Sequence, residues 1–81
     1  MTKDECLSKV NAIFVDLFER PDLKIDFNTT ANDVEGWDSL MHINLIETIE
    51  DEFGIHFSMG EVVGMKNVGD MCDIIISRTT K

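Results

Sequence analysis

At 81 residues the chain has room for one domain and a limited core, which disfavours a deep catalytic cleft and favours a binding or carrying module. It sets 16 Asp and Glu against 7 Lys and Arg, a formal net charge of -9. Such a surface repels nucleic-acid phosphates and anionic membranes and attracts basic protein surfaces.

The elements follow in chain order. Thr2 with Glu5 three residues on forms a capping box. Leu7, Val10, Ile13, Phe14, Leu17 and Phe18 then recur at three- and four-residue steps, which predicts a helix over residues 3–19, stopped by Pro21. Residues 20–37 read as a long loop rich in Asp, Asn, Thr and Gly, with Leu23, Ile25, Phe27 and Val34 spaced to pin it to a core. Asp26-Phe27-Asn28-Thr29-Thr30 touches on a calcium-loop pattern but lacks its sixth-position glycine and terminal glutamate, so no metal site is assigned.

Asp38 is an N-cap for a second helix over residues 39–53, which Gly54 ends. Ile43, Leu45, Ile46, Ile49 and Phe53 share its inner arc, while Leu40 and Met41 fall outside it and are expected at the surface. Ser58 and Glu61 make another capping box for a short third helix that Gly60 and Gly64 weaken into one or two mobile turns. Asn67 caps a last helix running to about Arg78, with Val68, Met71, Cys72, Ile75 and Ile76 inward. The fold class is therefore all-α: one small four-helix bundle over residues 1–81, with three main helices, a short third one and a long first connection. Cys6 and Cys72 have neither metal-ligand spacing nor a disulfide framework, and read as small core residues of a cytoplasmic protein. No apolar run is long enough to span a membrane and none has the form of a signal peptide; a monomer is expected.

Charge is uneven. No Lys or Arg occurs between Lys24 and Lys66, a span that holds Asp38, Glu47, Glu50, Asp51, Glu52 and Glu61. This is either a solvated face or a steering surface for a basic partner. Within it, Ser39 stands alone in the first turn of the second helix. A nucleophilic serine needs a base and an orienting group behind that base. His42, three residues on, is the nearest candidate, but no oxyanion hole or nucleophile turn accompanies it, and a surface or half-buried residue near the helix start is the better reading. Ser39 reads either as a first-turn serine that satisfies backbone amides, as a kinase target, or as the substrate of another enzyme. A phosphodiester there would suit the free amides and positive dipole of a helix N-terminus. Trp37, Leu40 and Met41 beside acidic residues suggest a docking surface, or packing of the loop.

Three stretches together resemble the acyl carrier proteins: D-F-N-T-T-A-N-D-V-E-G-W-D-S-L from Asp26 to Leu40, L-I-E-T-I-E-D-E-F-G-I-H-F from Leu45 to Phe57, and N-V-G-D from Asn67 to Asp70. The resemblance spans the whole chain and implies a stand-alone carrier, not an enzyme. It implies that Ser39 bears 4′-phosphopantetheine, transferred from coenzyme A by a phosphopantetheinyl transferase, whose thiol holds acyl groups as thioesters. It also implies docking through Asp38, Leu40, Met41, Glu47, Glu50 and Asp51, toward acyl-loading ligases or synthases and acyltransferases with basic surfaces. Two positions acidic in carriers of fatty acid synthesis are Met41 and Asn44 here, and Gly60, Val62, Val63 and Gly64 stand where charged residues are usual. These departures point to a specialised partner set, and the G-W-D-S form is similar to carriers found with polyketide, modified-sugar or other small-molecule assembly enzymes. An aminoacyl or peptidyl cargo, and an unmodified acidic interaction module, are the competing expectations. A small hydrolase built on Ser39 and His42 is a distant third.

Overall fold

A computed structural model describes residues 2–79. It contains α1 (Lys3–Phe18), α2 (Ser39–Phe53), α3 (Met59–Gly64) and α4 (Val68–Thr79), and no strand among the described residues. None of these helices is long and apolar enough to cross a membrane.

The capping signals act as expected. Thr2 accepts from the Glu5 amide at 3.1 Å while the Glu5 carboxylate accepts from the Thr2 amide at 3.2 Å. The first turn of α1 thus satisfies two of its otherwise orphaned donors. These hydrogen bonds hold the Glu5 carboxyl below its ordinary value. The far end of α1 differs from expectation. Glu19 turns left-handed, with φ 55°, and the Arg20 amide bonds back to the Val15 carbonyl at 3.1 Å. The helix therefore closes by a local backbone reversal, two residues before the proline. Pro21 sits in the turn that follows and is not the stop.

The long connection is tied down at several points. Asn11 of α1 accepts from the Ile25 amide at 2.8 Å and donates to the Leu23 carbonyl at 3.4 Å. The Asp26 carboxylate accepts from the Asn28 amide and the Thr29 hydroxyl, so the acidic stretch is spent on its own turn. Ile25, Thr29 and Val34 are buried, and Leu23 and Phe27 pack partly against the core. The loop in turn caps α4. The Val68 and Gly69 amides donate to the Thr29 and Phe27 carbonyls at 2.9 and 2.8 Å, and Asn67 accepts from the Asp70 amide at 2.8 Å. A Cβ on Gly69 would meet the Phe27 carbonyl oxygen at 2.8 Å, which explains a glycine within an otherwise apolar helix face.

The core forms where α1 packs on α4 and, less extensively, on α2. Cys6, Val10, Phe14, Leu45, Ile49, Val68, Met71, Cys72 and Ile75 are fully buried. Each of the larger side chains contributes about 1.5–3 kcal/mol by leaving water. The two cysteines are free, and the Cys6 thiol donates to the Cys72 carbonyl across 3.9 Å. Burial pushes the Cys6 thiol up and drives that of Cys72 up to about 12.

In α2, Asp38 accepts from the Met41 amide at 2.9 Å, and Gly54 at φ 66° ends the helix with its amide on the Glu50 carbonyl. Leu45, Ile46 and Ile49 are buried as the periodicity requires. Ile43 departs from the expected arc: it is 53 % exposed. The element that would cover it, α3, is only six residues long and buries none of them. Ile43 consequently faces a cleft and not a closed core. α3 itself forms the Ser58–Glu61 capping box and is tied by a Glu61–Arg78 ion pair, while Arg78 also donates to the His56 carbonyl.

Candidate functional site

Gly36, at φ +91°, lets the chain reverse between Val34 and Asp38 and sets Trp37 inward. Trp37 is buried and packs edge-on against Phe14, ring centroids 5.1 Å apart at 84°. Its place is therefore in the core and not on a docking surface. Its indole N–H donates to His42 Nδ1 at 3.1 Å. An indole nitrogen can only donate, so Nδ1 is the acceptor and the imidazole proton sits on Nε2. That nitrogen then donates to the Val62 carbonyl of α3, 3.4 Å away.

Ser39 is the first residue of α2 and is exposed. Its hydroxyl has no hydrogen-bond partner among the described residues, and both His42 nitrogens are engaged elsewhere. The pair therefore lacks the serine–histidine contact that nucleophilic catalysis needs. What surrounds Ser39 suits a different chemistry. The first amides of α2 have no intrahelical acceptor, and Asp38 occupies the Met41 amide alone. These unpaired donors and the helix dipole fit a phosphodiester on the hydroxyl.

Beside Ser39 opens a cleft of about 530 Å³ between α2 and α3. Trp37, His42 and Ile43 line one side and Met59, Val62 and Val63 the other; Met65 and Met71 also contribute, and Lys66 is its sole cationic lining residue. A mostly apolar cleft with a few polar groups at its mouth accommodates an aliphatic chain. Sequence periodicity placed Ile43 in the core and left Met59, Val62 and Val63 without a role; the run of apolar residues in a short, glycine-flanked helix was the available signal.

The residues expected to dock partners do not all lie alike. Leu40 is 71 % exposed, and Asp38, Glu47 and Asp51 are exposed. Met41 is half-buried, where the surface was expected. Glu50 is also half-buried: its carboxylate accepts from the Phe57 amide at 2.8 Å and approaches His56 at 3.8 Å. Ile43, Met59 and Val63 are the other exposed large apolar side chains among the described residues.

Residues 8–75 match the family model described as the phosphopantetheine attachment site. The chain belongs to the acyl carrier protein family. It is 36 % identical over 76 residues to an acyl carrier protein of Thermosynechococcus vestitus, covering 93 % of each chain. It also superposes on the solution structure of a holo acyl carrier protein from Geobacter metallireducens with a TM-score of 0.85 and 37 % identity, over 90 % of this chain and 84 % of that one. As a member of this family it is a carrier and not an enzyme, and its cofactor is covalently attached phosphopantetheine. A carrier hydroxyl needs no base of its own.

Proposed function

We propose that Ser39 bears 4′-phosphopantetheine and that residues 1–81 form one carrier domain presenting acyl thioesters to successive enzymes. The observation that carries this reading is the exposed, unpaired Ser39 hydroxyl in the first turn of α2, at the mouth of an apolar cleft. The bound arm supplies the thiol that holds the acyl group. The chain's own residues do the rest. The N-terminal amides of α2 would hold the phosphodiester, Asp38 fixes the start of the helix, and Ile43, Met59 and Val63 would offer apolar surface to the carried group. A phosphopantetheinyl transferase supplies the base and metal that attachment requires, with coenzyme A as donor.

Docking falls to Leu40 with Asp38, Glu47 and Asp51, against basic surfaces on loading ligases, synthases and acyltransferases. Met41 contributes its exposed part. Glu50 adds its charge to this face while it braces the turn after α2. The apolar residues of α3, together with Met41 and Asn44, support a specialised polyketide, modified-sugar or small-molecule pathway. The reduced, buried cysteines suit the cytoplasm, and the apolar stripes of the main helices are used within the bundle, as in a monomer.

Intact mass before and after incubation with coenzyme A, magnesium and a promiscuous phosphopantetheinyl transferase tests the assignment. The expected result is one phosphopantetheine on the Ser39 peptide and none on Ser39→Ala, with the two proteins equally helical by circular dichroism. A folded wild-type protein that gains no mass, or gains it at another residue, overturns it.

A further inference from the structure

Three segments of the chain meet through one imidazole. Trp37 comes from the connecting loop, His42 from the first turns of α2 and Val62 from α3. The Trp37 ring is fixed by its edge-on contact with the fully buried Phe14, so the indole N–H is a stationary donor. Val62 offers a vacant acceptor for a local reason. Its usual intrahelical donor would be the Lys66 amide, four residues on, but that amide donates to the Asp70 carboxylate at 3.0 Å. His42 supplies the missing donor.

Little else fastens this side of α3. None of its residues is fully buried; Val62 packs half-buried against the core, and the remaining tie, Glu61 to Arg78, is a partly exposed ion pair of the kind that contributes little. Both His42 and Val62 line the cleft.

We propose that His42 is a positioning residue for the cleft: it couples α3 to the core through Trp37 and so sets the width of the space that a group carried on Ser39 can enter. This rests on the reading of Ser39 as the attachment residue, but the strap itself can be tested on the unmodified protein. His42→Phe keeps a ring of similar size and leaves the indole N–H and the Val62 carbonyl unpaired. His42→Gln restores one acceptor and one donor on a single planar group.

Backbone hydrogen exchange of the unmodified protein is the first readout. Residues 59–64 of His42→Phe should exchange roughly fivefold faster than in wild type, the factor expected for one lost hydrogen bond, with α1 and α4 little changed and His42→Gln close to wild type. The second readout uses the unmutated chain and does not depend on the variants folding. Loading Ser39 with octanoyl-phosphopantetheine should shift the Trp37 indole N–H resonance, and acetyl-phosphopantetheine should not. Wild-type exchange in His42→Phe, equal acceleration in α1 and α4, a His42→Gln no better than His42→Phe, or an indole resonance indifferent to the longer chain would each overturn the proposal. Failure to load Ser39 would instead sink the carrier reading, and the exchange data would still decide the strap.

Discussion

The seam between α1 and α4 and the wall formed by α3 are built on opposite principles. In the seam, Cys6, Val10, Cys72 and Ile75 are all fully buried, and adhesion comes from apolar area removed from water. In the wall, Met59 is 80 % and Val63 77 % exposed, no residue is fully buried, and adhesion rests on the half-buried Val62, its carbonyl's hydrogen bond to His42 and the Glu61–Arg78 pair. Stability is thus concentrated on the side away from Ser39, and the element beside Ser39 belongs to the weakly held end of the molecule's range. The proposed carrier role would use that division: a scaffold that survives many encounters, and a more weakly held boundary beside the attachment serine.

Substitutions on the two sides should diverge accordingly. Phe14→Ala should cost most, about 3–5 kcal/mol, because the ring stacks on Phe18 and supports Trp37. For a domain this small that approaches the whole folding free energy, and urea titration should find the variant largely unfolded. Gly69→Ala comes next, at about 1–3 kcal/mol, since the added methyl must displace the Phe27 carbonyl that caps α4. The same titration measures it, and exchange should rise at the Val68 and Gly69 amides. Asp38→Ala should cost about 1 kcal/mol through loss of the α2 cap.

Acid should act on the wall more gently. The Ser58 backbone hydrogen bond, and then Arg78, hold the Glu61 carboxyl below its ordinary value near 4.5. A lowered carboxyl stabilises the fold above that value and loses its contribution as pH falls through the depressed one. Protection of the α3 amides, measured against their intrinsic exchange rate at each pH, should therefore fall on acidification below about pH 4.5, and Glu61→Gln should show the reduced protection already at pH 7 and lose that response. Val63→Ala should change stability by less than about 0.5 kcal/mol. A Val63→Ala cost as large as that of Gly69→Ala would erase the contrast between seam and wall.

Much of this was legible before any coordinates. Thr2, Asp38, Gly54, Ser58 and Asn67 marked helix ends because capping is local chemistry written within four residues. The core of α1 and α4 followed from period alone. What could not be read was anything set by the distance between segments. Ile43 has the right phase for burial, yet no periodicity reveals that its neighbour across the cleft is one short helix. That the Glu50 carboxylate also accepts from the Phe57 amide depends on the turn after α2, which no spacing reveals. His42 was judged by its spacing from Ser39, whereas its partners lie five residues before it and twenty after it. Gly69 carries a signal of its own: a glycine among Val68, Met71 and Cys72 implies a close neighbour, here the Phe27 carbonyl.

The sealed cysteines bear on selectivity between nucleophiles. With its thiol at about 12, Cys72 exposes on the order of one thiolate in 10⁵ at pH 7, and that one has no path to solvent. Cys6 is shifted the same way. The chain therefore contains two sulfurs that neither capture an acyl group from a neighbouring thioester nor cap the arm as a mixed disulfide. In the loaded carrier the pantetheine sulfur is left without an internal competitor, and an aromatic disulfide reagent added to the folded protein should count one thiol per chain after loading and none before.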